Sequence, residues 1–424
     1  MNTSPQHRAG HWTTQVKPPM AVVPIDQPDP VAYPDRYVGQ LSVDVIHDGD
    51  SIPEDYLTDS KGQPIDADLI TRTHWRERDW GASIVAERLA MRLGLDRFHS
   101  VQTARALMDF GRFPGVSRTG APHLRRAAIN EPFNELLGFG QKRRLLEEHY
   151  DSISGVMDSV IRGRLLKIAV HTYDRYNPSG TERPQVSIVS RALGYQLDGE
   201  LPYGVFDPLY PDILAEFTVD RILPARIALE LERAGVPVAH NYPYLLPEGS
   251  PEVRHQVWSF FDWLEVRFGA EYPDTEGDYA YQMVWRMLKD TNLRSGEAGM
   301  LRAYIHRFRR PPAELSKDYS AAEDAYRDLH RFLNRNGGEV QAEYRHSQDR
   351  AMSFGIEVRK DLLWKFDPDG RPLGPDPEHG LYIADRLADA IIAYLNEDRR
   401  PSSPPRGSFP RMDRWYGPGG AVTK

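Results

Sequence analysis

The chain has 424 residues, and 61 acidic against 53 basic side chains leave a formal charge of −8, which gives no general drive toward phosphate backbones or anionic lipid. With 40% hydrophobic and 27% charged residues, the composition is that of a folded chain, and the length suits one large domain or two ordinary ones. The absence of cysteine excludes disulfide frameworks, thiolate metal sites and cysteine nucleophiles, so any metal must be held by His, Asp, Glu or backbone oxygen.

Residues 1–36 carry seven prolines and no apolar periodicity, which predicts a proline-rich extension that wraps the surface in extended form or stays mobile. The N-terminus lacks the apolar core of a signal peptide and no run reaches membrane-spanning length, so the expected address is cytoplasmic, with no membrane partner. Leu41 to Ile46 alternates strictly and ends in a Gly/Asp/Pro loop, as a strand does. Ile84 to Leu93 reads as a helix, and Phe133 to Arg164 as two. Leu165 to Val170 is a second strand and Gly235 to Ala239 a weaker third. Residues 252–268, 281–292, 299–310 and 320–335 read as helices, so the stretch from about 250 to 335 is expected to be a helical insertion. Ile383, Leu387, Ile391 and Leu395 define one face of a late helix. Strands alternating with helices predict an α/β chain, a three-layer α/β/α sandwich with a mixed, mostly parallel sheet. The body is expected to be one domain from 37 to 398, followed by a Pro/Gly-rich tail, 399–424.

Four constellations can carry chemistry. His47 falls where the first strand ends, and Asp50 follows across a glycine turn, so two oxygen and nitrogen ligands could meet one divalent cation. The competing account is a solvated turn. His171 closes a second buried-type strand; if the two strands are parallel neighbours, both histidines converge at one sheet edge, where ligands collect in open α/β sheets. Otherwise His171 is a satisfied core histidine. Glu357, on a strand from Gly355 to Arg359, could accept a proton from an activated water or form a salt-bridged edge. Arg112, in Asp109-Phe-Gly-Arg112, could take a substrate carboxylate in bidentate fashion or pair structurally with Asp109. Arg183 and the loop His240-Asn241-Tyr242-Pro243-Tyr244 are further polar segments able to line a pocket. Arg307-Phe-Arg-Arg310 reads as a solvated helix end, and no nucleic-acid partner is expected.

Taken in order, these segments resemble the N-formylglutamate amidohydrolase family, which shares its fold with the zinc carboxypeptidases and aspartoacylase-like deacylases. The resemblance rests on Val45-Ile-His47-Asp-Gly-Asp50-Ser-Ile-Pro53, Asp79-Trp80-Gly81, Asp109-Phe-Gly-Arg112, Ala169-Val-His171, Gly180-Thr-Glu-Arg183-Pro184, Asn241-Tyr-Pro-Tyr244 and Glu357-Val-Arg359. It spans about residues 40 to 395 and implies a zinc-dependent exopeptidase-like fold. It makes His47 and His171 ligands of one divalent metal ion, zinc foremost, with Asp50 in the carboxylate ligand position. It makes Glu357 the general base and Arg112 an anchor for a substrate carboxylate. Around such a centre, Arg359 or Arg175 would stabilise the oxyanion, and Arg183, Asn241 and Tyr244 would contact substrate. The implied activity is hydrolysis of an N-acyl or peptide amide in a small substrate or peptide bearing a carboxylate. A carboxypeptidase-like peptidase and a catalytically silent binding protein are the alternatives. Gly111 and Ala169 depart from the family pattern, which has Asn and Asp there, and this argues against assuming that N-formylglutamate itself is the substrate.

Overall fold

In the computed structural model, residues 12–397 are described except 113, 115–126, 193–205, 248, 293, 295 and 349; the expected 399–424 tail lies outside the described residues. Seven strands form the main sheet: β1 (Met20–Pro24), β2 (Leu41–Val45), β3 (Arg97–Val101), β4 (Leu166–Tyr173), β5 (Val186–Val189), β6 (Val238–His240) and β7 (Met352–Arg359). Their order is β1-β3-β2-β4-β7-β5-β6. The β3-β2-β4-β7 core is parallel, whereas β1 joins β3 and β5 joins β7 antiparallel. The sheet is therefore mixed and mostly parallel, as the alternation of elements implies.

Three strands escaped the sequence reading for physical reasons. β1 lies inside the proline-rich extension, and its edge position tolerates the donor missing at Pro24. β3 and β5 are short, and β3 opens on an exposed arginine. The helices are α1 (Ala67–Glu77), α2 (Ala82–Arg92), α3 (Phe133–Leu136), α4 (Phe139–Leu145), α5 (Asp151–Ile161), α6 (Ile222–Arg233), α7 (Pro251–Glu271), α8 (Tyr279–Lys289), α9 (Gly296–Ile305), α10 (Ser316–His346) and α11 (Glu378–Asn396). The helical stretch thus runs from 251 to 346. No helix among the described residues is long and apolar enough to cross a membrane.

The two faces of the sheet differ in chemistry, and this decides where a site can be. Side chains alternate along a strand. Val43, Val45, Ile168, Val170, Phe354, Ile356 and Val358 pack against Leu89 of α2, Leu231 of α6, and Ile383, Leu387 and Ile391 of α11 in one apolar core. The intervening residues Asp44, Lys167, His171, Ser353 and Glu357 share the opposite face. That face carries the polar groups, and α5 and α7 contact it on β1, β4 and β7.

Burying those groups requires partners. Lys167 Nζ lies 2.7 Å from both Asp44 and Glu252, and all three side chains are essentially inaccessible. Burial alone would lower the Lys167 pKa, but the two carboxylates outweigh it and raise it. The triad ties β2 and β4 to the start of α7. Arg254, two residues further on, reaches Asp158 of α5 at 2.8 Å. Lys167→Met should destabilise the chain by about 3–5 kcal/mol, because two buried carboxylates lose their counter-ion. Urea unfolding at pH 7 checks this, and an unchanged midpoint would contradict it.

A second prediction concerns acid. Burial pushes His255 down to about 4, although its Nε2 donates to the Arg164 carbonyl at 2.9 Å. Burial likewise pushes His99 down to about 4. Between the unfolded value near 6.5 and about 4, the unfolded chain binds protons that the native chain does not. Stability therefore falls as pH drops through that window, with His255 alone contributing about 3 kcal/mol. Unfolding midpoints at pH 7 and pH 4.5 check the sign.

Candidate metal centre

The loop after β2 is shaped by its glycine. A Cβ on Gly49 would lie 2.5 Å from the backbone of Gln102, so no other residue fits without movement. Beyond it the chain runs extended: Ser51 N donates to Gln102 O, and Thr13 N to Asp50 O, both at 2.9 Å. Meanwhile Asp79 N donates to His47 O at 3.0 Å, bringing a second loop alongside. Trp80, 1% exposed, and Gly81, in the left-handed region at φ 85°, turn that loop into α2. Asp48 secures the junction by accepting from Ser83 N at 3.0 Å and Arg78 Nε at 2.7 Å.

The result is a cluster of His47, Asp79 and His171, each offering one ligand atom, with these atoms all within 4.8 Å of one another. His171 Nδ1 lies 3.1 Å from Asp79 Oδ2, and His47 Nδ1 lies 3.4 Å from the same oxygen. For metal–ligand bonds of about 2.0–2.1 Å, tetrahedral neighbours are about 3.3 Å apart. His47 Nδ1 is buried and has no hydrogen-bond partner among the described residues. The other ring nitrogen, Nε2, is held by Asp109 Oδ1 at 2.8 Å, the carboxylate–imidazole pairing that fixes a ligand's orientation. These three residues could hold a metal ion, and the set fits one.

Charge around the cluster is tightly matched. Arg105 Nη1 lies 2.9 Å from Asp79 and its Nε 3.2 Å from Asp109, while Arg112 Nε pairs with Asp109 at 3.0 Å. Burial by itself would raise the Asp79 pKa, but Arg105 and the two histidines hold it well below the usual carboxylate range. Asp109 is held low in the same way by His47, Arg112 and Arg105. Burial would lower His171, yet its bond to Asp79 and the nearby Glu357 raise it to about 9.

Glu357 stands directly across from His171 in the parallel β4–β7 register. Its Oε2 is buried and has no hydrogen-bond partner among the described residues. Burial raises its pKa, His171 opposes that shift, and Asp79 adds to it.

The expected site residues are distributed unevenly. His47, His171 and Glu357 come together, but Asp50 does not join them. The extended run after Gly49 aims Asp50 away, where it pairs with Lys17 at 2.7 Å, and Asp79 takes the carboxylate position instead. Asp50→Ala should therefore leave metal content unchanged, as measured by elemental analysis of the purified protein; loss of metal would contradict this placement. Arg112 is engaged structurally, with Asp109 and, at 2.6 Å, with Asn130 Oδ1. Arg359 is paired with Glu182 and Asp361, each at 2.8 Å. Arg175 lies at the exposed rim on Glu182. Asn241 spends its amide oxygen on Ser190 N and Arg191 N, at 2.8 and 3.0 Å, while its backbone sits at φ 53°.

Arg183 remains on the site side, 7% exposed, with its guanidinium over Tyr173 and Tyr244 at 5.5 and 5.4 Å. Its Nε is buried without a hydrogen-bond partner among the described residues. Both phenols are pushed up by burial, and both also feel the charge of Glu357. Sequence reasoning quoted Asp79 only as part of the Asp79-Trp80-Gly81 resemblance, without a ligand role, and did not single out Arg105 at all. The signal for Asp79 was the Trp80–Gly81 pair behind it, an aromatic anchor and a left-handed turn that fix the carboxylate preceding them.

The chain is thus a mixed-sheet α/β protein with a three-residue His/Asp/His cluster on the polar face of its sheet. No protein-family description matches it, and no curated protein does. Two solved structures have a similar chain path. One is a gene product of Agrobacterium tumefaciens, at 15% identity and TM-score 0.42, covering 89% of this chain and 95% of that one. The other is the N-formylglutamate amidohydrolase of Ralstonia eutropha JMP134, at 14% identity and TM-score 0.46, covering 89% and 98%. At these scores the likenesses do not bear on what the chain does, and the functional reading rests on its own geometry.

Proposed function

We propose that the protein is a metal-dependent hydrolase of amide bonds in small, carboxylate-bearing substrates, a divergent relative of the N-formylglutamate amidohydrolases. The observation that carries the reading is the buried, unpartnered Nδ1 of His47 beside Asp79 and His171, with the unpartnered Oε2 of Glu357 on the strand next to His171. His47, Asp79 and His171 would hold the ion, zinc being the best match to two imidazoles and one carboxylate. A divalent cation there supplies Lewis-acid polarisation of a carbonyl and acidification of water.

The protein's own residues do the rest. Asp109 fixes His47 through Nε2, and Arg105 holds Asp79 and Asp109 in their ionised forms. Glu357, its basicity raised by burial, takes a proton from the attacking water and returns it to the departing amine. Arg183, with an uncommitted buried N–H between Tyr173 and Tyr244, takes the substrate carboxylate and so orients the scissile bond. Arg112, already committed to Asp109 and Asn130, holds the site rather than the substrate.

The test is a screen of N-formyl, N-acetyl and short peptide substrates against protein of known metal content. Metal-dependent release of an amine from a carboxylate-bearing substrate is expected. Turnover that persists after chelation, or a preference for esters lacking a carboxylate, would contradict the reading.

A further inference from the structure

The polar face of the sheet continues past Glu357. In the antiparallel β5–β7 pairing Ser187 stands directly opposite Glu357, so both side chains point to the same face. The buried Ser187 Oγ accepts from Tyr242 N at 3.4 Å, which brings the loop after β6 over the strand beside Glu357. That loop is pinned at both ends. Asn241 N donates to Ile188 O at 2.8 Å, and Asn241 Oδ1 accepts from Ser190 N and Arg191 N. Leu246 N donates to Arg191 O, also at 2.8 Å. Between these pins, Tyr242-Pro243-Tyr244 forms a wall on the Glu357 side of the metal centre.

The wall keeps aromatic surface in solvent. Tyr242 is 38% exposed and Tyr244 45%, on a loop fixed at both ends. Aromatic area left in water contributes nothing to folding, and a braced loop loses little further freedom when that area is covered. Beside it lies Arg183, its guanidinium carbon 5.4 Å from the centre of the Tyr244 ring, with the buried Nε that has no hydrogen-bond partner among the described residues. Arg183 is also braced from behind. Its own N donates to Arg175 O at 2.8 Å, and the carbonyl of Pro184 accepts from Tyr173 Oη at 2.8 Å. A donor for an anion and an open aromatic surface therefore stand side by side on two fixed loops.

We propose that the substrate of this site carries an aromatic ring on the half that bears the carboxylate, and that Tyr244 and Tyr242 select it. This substrate class, N-acyl derivatives or short peptides of aromatic amino acids, rests on the hydrolase reading above. With the carboxylate on Arg183, a side chain on the same α-carbon lies within reach of the neighbouring Tyr244 ring. Aromatic pairs associate offset or edge to face with ring centres about 4.5–7 Å apart, and gain from that geometry what a saturated group of equal area does not.

Binding of the product amino acids tests the selection without relying on turnover. Calorimetric titration of the full, zinc-loaded chain compares L-phenylalanine, L-cyclohexylalanine and L-alanine. Phenylalanine is expected to bind about tenfold or more tighter than alanine, and tighter than the cyclohexyl analogue. The ratio of phenylalanine to alanine affinity should fall to about threefold or less in Tyr244→Ala and be kept in Tyr244→Phe, while Arg183→Gln weakens all three alike. The proposal is overturned if the native chain binds none of the three in the millimolar range, if phenylalanine binds no tighter than alanine, or if Tyr244→Ala keeps the native ratio. Equal affinity for cyclohexylalanine would overturn the aromatic class. Zinc-dependent cleavage of N-acetylphenylalanine and N-acetylalanine separates this from the hydrolase reading. Selective binding of phenylalanine with neither amide cleaved supports the aromatic subsite and contradicts hydrolysis; cleavage of both at equal kcat/KM does the reverse.

Discussion

Glu357→Gln should lower the turnover number by about 10²-fold or more while leaving the metal in place. The amide is isosteric with the carboxylate but cannot accept the proton that the attacking water gives up. The site around it should not change, because Glu357 makes no hydrogen bond through Oε2 that the substitution would break. The effect should appear in kcat, with substrate affinity nearly intact, since Arg183 and the two tyrosines are expected to supply the binding. Steady-state kinetics on protein of equal metal content checks this. A variant that loses its metal would instead make Glu357 a ligand and require a different base.

His171→Ala should have a larger effect, abolishing both metal retention and turnover. His171 offers one of the three clustered ligand atoms, and its removal leaves Asp79 and His47 as a two-ligand site. Catalytic zinc sites ordinarily have three protein ligands. Stability should not collapse alongside, because His171 is partly exposed and lies on the polar face of the sheet, away from the apolar core. Elemental analysis and circular dichroism together separate loss of the ion from loss of the fold. Full activity in this variant would refute the centre.

These expectations show where the sequence was legible and where it was not. β2, β4, β7 and α11 announce themselves because each turns one apolar face to the same core, and alternation, an apolar run or four-residue recurrence records that face directly. The pairing of β2 with β4 as parallel neighbours was the condition for His47 and His171 to converge, and the register meets it. The third member of the cluster was not legible from local spacing. A His-x-x-Asp turn places Asp50 near His47 in sequence, but Gly49 packs so closely on Gln102 that the chain leaves in extended form. Asp79 arrives instead from a loop more than thirty residues later, through one backbone hydrogen bond and a buried tryptophan. Long-range approach of that kind leaves no periodic trace.

The arginines teach a related lesson. Arg112 and Arg359 occupy motif positions, yet each is committed to carboxylates within its own surroundings. Arg105, outside any motif, bridges the two carboxylates that matter most to the cluster. Sequence can name residue types able to bind an anion. Only the packed structure shows which guanidinium still has a donor to give.

The most direct test of the central claim is a zinc titration of the metal-stripped protein in competition with a chromophoric chelator, run on the native chain and on Asp79→Ala. One tightly bound equivalent is expected for the native chain, with binding weakened by several orders of magnitude in Asp79→Ala. A native chain that binds no zinc, or an Asp79→Ala variant that binds it equally well, would contradict the centre built here from His47, Asp79 and His171.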